Sequence, residues 1–299
     1  MILSASRRSD IPALYGQWFL QRLIDGYALT RNPVNRQLYR VDLAPNLVDC
    51  IVLWTKNAAP IMPYLNAIEQ MGYSYLFQYT LNAYGTDIEP GLGDKSTILE
   101  SFVQLSERLG KQKLLWRYDP IIIEGRYSTL WHEKAFARAC EMLAAHTRQV
   151  TISFVDPYRK NDMKRPAQLD MLKLAASLGS IAKSYNLPIY ACCEGAELAA
   201  YGILPGACID KAVIESILGQ KLKIAPDRSQ RSGCRCVQSV DIGAYDTCIH
   251  GCTYCYACNG AATIQKNRAL YSPDNPLLCD KVYEGEEILK RKLNTNIIY

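Results

Sequence analysis

The stretch Cys50-Ile51-Val52-Leu53-Trp54-Thr55-Lys56-Asn57 runs apolar for its first five residues without alternation and then turns polar. A half-buried strand alternates. A short unbroken apolar run suits a parallel strand covered on both faces. The same pattern recurs at residues 2–4, 74–80, 113–117, 150–154 and 187–192, and a seventh run at 237–242 leads into a cysteine cluster. Between the runs lie segments 97–109, 131–146 and 168–185, whose apolar residues recur at three- and four-residue steps, as Ile98, Phe102, Leu105 and Leu109 do. That spacing is helical. Strands alternating with helices predict βαβ units and a parallel sheet, hence an α/β fold. No dinucleotide-type glycine-rich turn follows a strand, so a (β/α) barrel of the TIM type, full or partial, is favoured over a doubly wound sheet. Residues 37–43 read as one more short strand without an assigned place.

The chain has 299 residues, 49% of them hydrophobic and 21% charged, enough apolar content for one large core. The expected division is a stretch 1–190 of barrel strands and helices and a cysteine-rich stretch 191–299 that completes the same domain. The net charge of +5 is mild and Lys and Arg are scattered, so nucleic acid is not indicated as a partner. No apolar run approaches the roughly 18 residues of a membrane span, and Ser6-Arg7-Arg8 interrupts the N-terminus too early for a signal peptide. A cytoplasmic protein is expected. Twelve cysteines in a reducing compartment do not read as a disulfide framework. Only Cys50 and Cys140 precede residue 192, and that skew points to metal or redox chemistry in the last third.

The strand ends carry charge. They read Ser4-Ala5-Ser6-Arg7-Arg8-Ser9-Asp10, Trp54-Thr55-Lys56-Asn57, Gln78-Tyr79-Thr80-Leu81-Asn82, Trp116-Arg117-Tyr118-Asp119, Phe154-Val155-Asp156-Pro157-Tyr158-Arg159-Lys160 and Cys192-Cys193-Glu194. In a parallel barrel the active site lies at the C-terminal ends of the strands. Arg7, Arg8, Asp10, Lys56, Arg117, Asp119 and Asp156 are therefore the catalytic candidates, although Arg117–Asp119 and Arg7/Arg8–Asp10 equally suit structural ion pairs.

The sharpest motif is Cys248-Ile249-His250-Gly251-Cys252-Thr253-Tyr254-Cys255-Tyr256-Ala257. Three thiolates so close in sequence can hold one metal centre, and soft sulfur selects iron–sulfur clusters, zinc or Cu(I). A closed zinc site needs four ligands, which Cys258 or His250 could complete. A second set comprises Cys192, Cys193, Cys208, Cys234 and Cys236. Of these Cys192, Cys208, Cys234 and Cys236 are expected to form a four-cysteine auxiliary cluster, with Cys193 the alternative to Cys192 because adjacent strand residues point oppositely. A structural zinc site and plain buried thiols are the competing readings.

The C-x3-C-x2-C run, with Tyr254 before its last cysteine and Tyr256 after it, resembles the cluster loop of the radical S-adenosylmethionine superfamily, especially members related to spore photoproduct lyase. The resemblance implies that Cys248, Cys252 and Cys255 ligate a [4Fe–4S] cluster whose open iron binds S-adenosylmethionine, reductively cleaved to a 5′-deoxyadenosyl radical. It implies an electron donor such as flavodoxin or ferredoxin and an unknown substrate. Tyr254 would lie near the adenine, and Glu194, Asn57 and Gln78 at strand ends are the further candidates for binding the cofactor. The superfamily's loop follows its first strand, whereas this loop follows the last run, so a circularly permuted barrel is expected, with 237–242 beside the first strand. The whole chain also resembles a bacterial and archaeal family of uncharacterised function whose C-terminal cysteines have been likened to that loop. The matching segments include Ser4-Ala5-Ser6-Arg7-Arg8-Ser9-Asp10-Ile11-Pro12, Leu53-Trp54-Thr55-Lys56-Asn57, Trp116-Arg117-Tyr118-Asp119-Pro120, Ser153-Phe154-Val155-Asp156 and Ser239-Val240-Asp241-Ile242-Gly243.

His132 and His146 sit in a helical segment and are expected to face solvent, His250 to shape the turn with Gly251, and Cys50, Cys140 and Cys279 to be ordinary thiols. Three functions compete: a radical S-adenosylmethionine enzyme, a non-catalytic iron–sulfur protein of redox sensing or electron transfer, and a zinc-stabilised barrel.

Overall fold

The computed structural model describes residues 1–158 and 163–298. Its strands are β1 (Ile2–Ala5), β2 (Tyr27–Arg31), β3 (Leu38–Asp42), β4 (Cys50–Thr55), β5 (Tyr75–Thr80), β6 (Leu114–Ile121), β7 (Val150–Phe154), β8 (Ile189–Cys192), β9 (Leu204–Gly206), β10 (Val240–Asp241) and β11 (Ile288–Lys290). The helices are α1 (Ile11–Leu14), α2 (Gly16–Ile24), α3 (Leu65–Gln70), α4 (Lys95–Leu109), α5 (Thr129–Leu143), α6 (Gln168–Ser184), α7 (Lys211–Leu218) and α8 (Ala261–Arg268).

The fold is α/β, built on an eight-stranded sheet in the order β10-β1-β4-β5-β6-β7-β8-β9. Every neighbouring pair is parallel. The chain thus winds in one direction from β1 to β9 and then returns to lay β10 beside β1. Among the described residues no ladder joins β9 to β10, so the sheet is not closed by strand pairing. It curls nonetheless. The Val237 N–H donates to the Ile209 carbonyl at 3.1 Å, between segments flanking the two edge strands. The Gln78 side chain on β5 donates to the carbonyl of Cys208, just past β9, at 2.5 Å.

All seven runs read from the sequence are strands of this sheet. Only β9 was not expected, because Leu-Pro-Gly is too short for a pattern and its Pro-Gly pair reads as a turn. The unplaced segment 37–43 contains β3, which pairs antiparallel with β2 and parallel with β11 in a separate three-stranded sheet. Double-sided burial of the main sheet is plain in β7, where every residue is buried.

The helices follow from caps and apolar stripes. Asp94 caps α4 by accepting from the Ser96 N–H at 3.0 Å, and Ser128 caps α5 by accepting from the Trp131 N–H at 3.2 Å. Buried residues on α5 are His132, Phe136, Cys140 and Leu143, one stripe at helical spacing. Phe136 stacks on Trp116 of β6 with ring centroids 5.3 Å apart. No helix among the described residues is long and apolar enough to cross a membrane. All twelve cysteines are free, and Cys50, Cys140 and Cys279 are buried.

His132 corrects the expectation that it faces solvent. It is fully buried, with Nδ1 2.7 Å from the Tyr118 hydroxyl and Nε2 2.8 Å from the Ile122 carbonyl. Its place on the apolar stripe of α5 outweighs its polarity because both ring nitrogens find partners. Burial lowers its pKa to about 4. The unfolded chain therefore takes up a proton near pH 6.5 that the folded chain refuses until about pH 4, so stability falls as pH drops through that window. The loss is expected to reach about 3 kcal/mol. Urea midpoints at pH 7 and pH 4.5 should show it, and the His132→Gln variant should show a shallower fall over the same interval.

Candidate functional site

The pairing of β10 with β1 spans only Leu3–Val240 and Ser4–Asp241, and a side-chain clasp reinforces it. The Asp241 carboxylate accepts from the Ser4 hydroxyl at 2.9 Å, the Ser6 hydroxyl at 2.6 Å, and the N–H groups of Arg7 and Gly243, each at 2.9 Å. Those four donors match the roughly four lone-pair sites of a carboxylate. Gly243 is required there, because a Cβ would fall on the Ser6 hydroxyl.

Asp10 ties the cysteine loop to this corner. One oxygen caps α1 by accepting from the Ala13 N–H at 3.0 Å, and the other accepts from the Lys56 N–H at 2.8 Å and lies 2.9 Å from His250 Nε2. Behind the loop, the Tyr15 hydroxyl donates to the Thr247 carbonyl at 2.5 Å and the Gly91 N–H donates to the His250 carbonyl at 2.8 Å. Gly91 also has no room for a side chain, since a Cβ would collide with the Ile249 carbonyl.

These contacts place the loop at the C-terminal ends of the strands, over one cavity of about 700 Å³. Arg7, Arg8, Asp10, Lys56, Arg117, Asp119 and Asp156 all line it. So do Cys248, Cys252, Tyr254 and Cys255 from the loop, and Cys192, Cys193, Cys208, Cys234 and Cys236 from the second set. Three expected cofactor contacts do not reach it. Asn57 accepts from the Ala59 N–H at 3.0 Å, which caps the turn after β4. Gln78 is spent on the Cys208 carbonyl. Glu194 accepts from the Phe154 N–H at 2.8 Å and from Arg165 at 2.6 Å, so its charge is already matched. Arg159 and Lys160 lie outside the described residues.

Several candidates meet each other. Arg117 donates to Asp119 Oδ2 through Nε at 3.1 Å and approaches the Cys208 sulfur at 3.0 Å through Nη1. Asp119 also accepts from the Ser153 hydroxyl. Asp156 pairs with both Arg165 and Arg231. Arg7 and Arg117 both lie over the Trp54 ring, 5.4 and 5.5 Å from its centroid, and Arg8 lies over Tyr245 at 5.3 Å. One Arg7 nitrogen, Nη2, is buried without a hydrogen-bond partner among the described residues.

Lys56 donates to Glu89 at 2.7 Å and sits 5.4 Å from the centroid of the Tyr254 ring. Glu89 also receives Lys95 and the Tyr254 hydroxyl. Burial alone would raise the Glu89 pKa, but Lys56 and Lys95 hold it down to about 2. Burial likewise opposes the charge of Lys56, and Glu89 and Cys252 more than restore it, so its pKa is raised. The sequence reading missed Glu89, which lies well past the polar end of β5 in an irregular Glu-Pro-Gly stretch. Asp241, inside the segment Ser239-Val240-Asp241-Ile242-Gly243, carries no sequence signal of the clasp it forms.

Burial pushes the thiols of Cys248 and Cys252 up to about 12 and 11, with Lys56 opposing the rise at Cys252. A hydrogen bond from Cys258 draws Cys255 the other way, down. Among the described residues no group of three or more His, Cys, Asp or Glu side chains converges as a single ion would require. A four-iron cluster differs in that each thiolate meets its own iron, so the sulfurs surround a void. Three half-exposed thiols around a cavity, soft donors all, fit that demand.

Residues 2–257 match the model of a family described as a domain of unknown function (DUF1848). The chain belongs to that family. The DUF1848 match runs from β1 through Cys255 and carries no assignment to the radical S-adenosylmethionine superfamily. No curated protein matches the chain.

Glu89→Gln should leave Lys56 and Lys95 facing a neutral amide in a buried setting. Breaking a buried ion pair by removing one partner costs roughly 3–5 kcal/mol. A urea unfolding midpoint lowered to that extent at pH 7 is the expected result, and an unchanged midpoint would mean that the pair contributes nothing net.

Proposed function

We propose that this chain is an iron–sulfur enzyme of the radical S-adenosylmethionine type, acting on an unidentified substrate held among charged strand ends. The observation that supports this reading is the shared cavity of about 700 Å³, lined both by the three loop cysteines and by Arg, Lys and Asp side chains. An electron carrier has no use for a cavity of that size, and a structural zinc site needs ligands that converge. In this reading the curled sheet is an incompletely closed (β/α) barrel, circularly permuted so that β10 and its loop take the place of a first strand.

Cys248, Cys252 and Cys255 would hold a [4Fe–4S] cluster as thiolates, losing their protons as they bind. When bound and reduced by a donor such as flavodoxin or ferredoxin, the cluster would supply the electron that cleaves the sulfonium of S-adenosylmethionine. Tyr254, fixed by its hydrogen bond to Glu89, offers a ring face beside the loop for a base. Lys56 presents a donor to carboxylates of the cofactor or the substrate. Arg117, Asp119 and Asp156 are already engaged with one another or with neighbouring arginines, so they orient the wall. Twelve free cysteines suit a reducing, cytoplasmic setting.

The test is anaerobic reconstitution with iron and sulfide, followed by dithionite and S-adenosylmethionine. The wild-type chain should release 5′-deoxyadenosine and Cys252→Ala should not. A loaded chain that never forms this product is an electron carrier. Stoichiometric zinc without iron–sulfur absorbance would instead make it a zinc-stabilised barrel.

A further inference from the structure

We propose that Cys192, Cys208, Cys234 and Cys236 form a second metal site on the same cavity, built for a four-iron iron–sulfur cluster and independent of the loop. Three chain segments bring these residues together: the end of β8, the residues after β9, and the segment 234–236 that precedes β10. The sulfurs of Cys192 and Cys208 stand 3.1 Å apart. The Ile209 N–H donates to the Cys236 sulfur at 3.3 Å, and Arg117 approaches the Cys208 sulfur at 3.0 Å. All four cysteines line the cavity.

The charges around them supply a second, independent observation. Arg7 and Arg117 are both laid over Trp54, and both act electrostatically on Cys208. Arg117 has Asp119 as a counter-charge and Arg7 has Asp241, but Asp241 already accepts four hydrogen bonds and the buried Nη2 of Arg7 finds no acceptor among the described residues. Buried cations require anions nearby, and four neutral thiols provide none. Four thiolates on a cluster carry net negative charge, which the two guanidinium groups match.

Room, and not the present sulfur positions, favours a cluster over a single ion. The four sulfurs border an open cavity, whereas a structural zinc is enclosed by its four ligands. The 3.1 Å between the Cys192 and Cys208 sulfurs is too short for ligands on separate irons, so loading requires these two thiols to part. Cys193 is a neighbour of the ligands. It adopts φ +57, a left-handed backbone uncommon for a residue with a side chain, and its thiol meets first Cys192 and then Arg231.

The experiment uses the full chain, reconstituted anaerobically with ferrous iron and sulfide, with iron and acid-labile sulfide counted per folded chain. The variant Cys248→Ala/Cys252→Ala/Cys255→Ala should keep about four irons, and Cys208→Ala/Cys236→Ala should keep about four of the roughly eight in wild type. Cys193→Ser should change nothing. If the loop holds no cluster, wild type and the loop variant both carry about four and Cys208→Ala/Cys236→Ala carries none, which separates failure of the loop reading from failure of this one. The proposal is overturned if the loop variant binds no iron, if it takes zinc in place of iron, or if its only change is a Cys192–Cys208 disulfide. Where a double variant fails to fold, Arg117→Gln in the loop variant keeps every sulfur. Its remaining cluster signal should then shift to lower midpoint potential, and an unshifted signal would also overturn the assignment.

Discussion

Two backbone pairs join β10 to β1, and so short a ladder leaves the placement of everything after it to side chains. Asp241 does that work. Its carboxylate is saturated by two hydroxyls and two backbone N–H groups, and hydrogen bonds to a charged acceptor are each worth about 1.5–3 kcal/mol. The network continues outward: the indole N–H of Trp54 donates to the Ser4 hydroxyl at 3.1 Å, and the two arginines rest on that indole. One carboxylate therefore sets the edge of the sheet, the direction of the cysteine loop and, through Trp54, the position of both cations beside the second cysteine set.

Charge gathers at the cavity more densely than elsewhere in the interior. Elsewhere buried charges stand in single pairs, Arg22 with Asp25 and Asp49 with the N-terminal amine, and His132 is neutral and satisfied. Around the cavity several charges are buried or half-buried, and each is managed differently. Glu89 is over-matched by Lys56 and Lys95, Asp156 by Arg165 and Arg231, while Arg7 shares Asp241 with four donors and keeps one nitrogen without an acceptor among the described residues. A fold gains no stability from such pairs over apolar packing. Their concentration at one end of a parallel sheet is an argument for binding chemistry at that end.

Much of this was legible from the sequence, and for identifiable reasons. The strands showed themselves because parallel strands are apolar on both faces, and α4 to α6 because their buried stripes have helical spacing. The catalytic candidates were found because strand ends in a parallel sheet share one face. What escaped detection depended on partners distant in sequence. Glu89 looks like any loop carboxylate until Lys56 and Lys95 meet it. Asp10 lines the cavity as its strand end suggested, and what the sequence did not show is that it also joins α1, the end of β4 and His250. His132 looked solvent-facing because a histidine in a helix usually is, and only Tyr118 and the Ile122 carbonyl make its burial tolerable. Asn57, Gln78 and Glu194 sit at strand ends as expected, but backbone groups had already claimed them.

The position of the cysteine loop at the far end of the chain matters less to its chemistry than to its assembly. A site at the strand ends depends on which strands are neighbours in space, and β10 beside β1 gives the loop the same outlook a first-strand loop would have. Its contacts, however, span most of the chain: Ser4 to Asp241, Ser9 to Thr247, Asp10 to His250. Such contacts repay their closure entropy only when the intervening strands are packed. The second cysteine set draws on β8, on the segment after β9 and on the approach to β10, and so it too waits for the sheet. The loop cysteines are close in sequence, but their outlook over the cavity, like the gathering of the second set, waits until the sheet is complete and Asp241 has closed its edge.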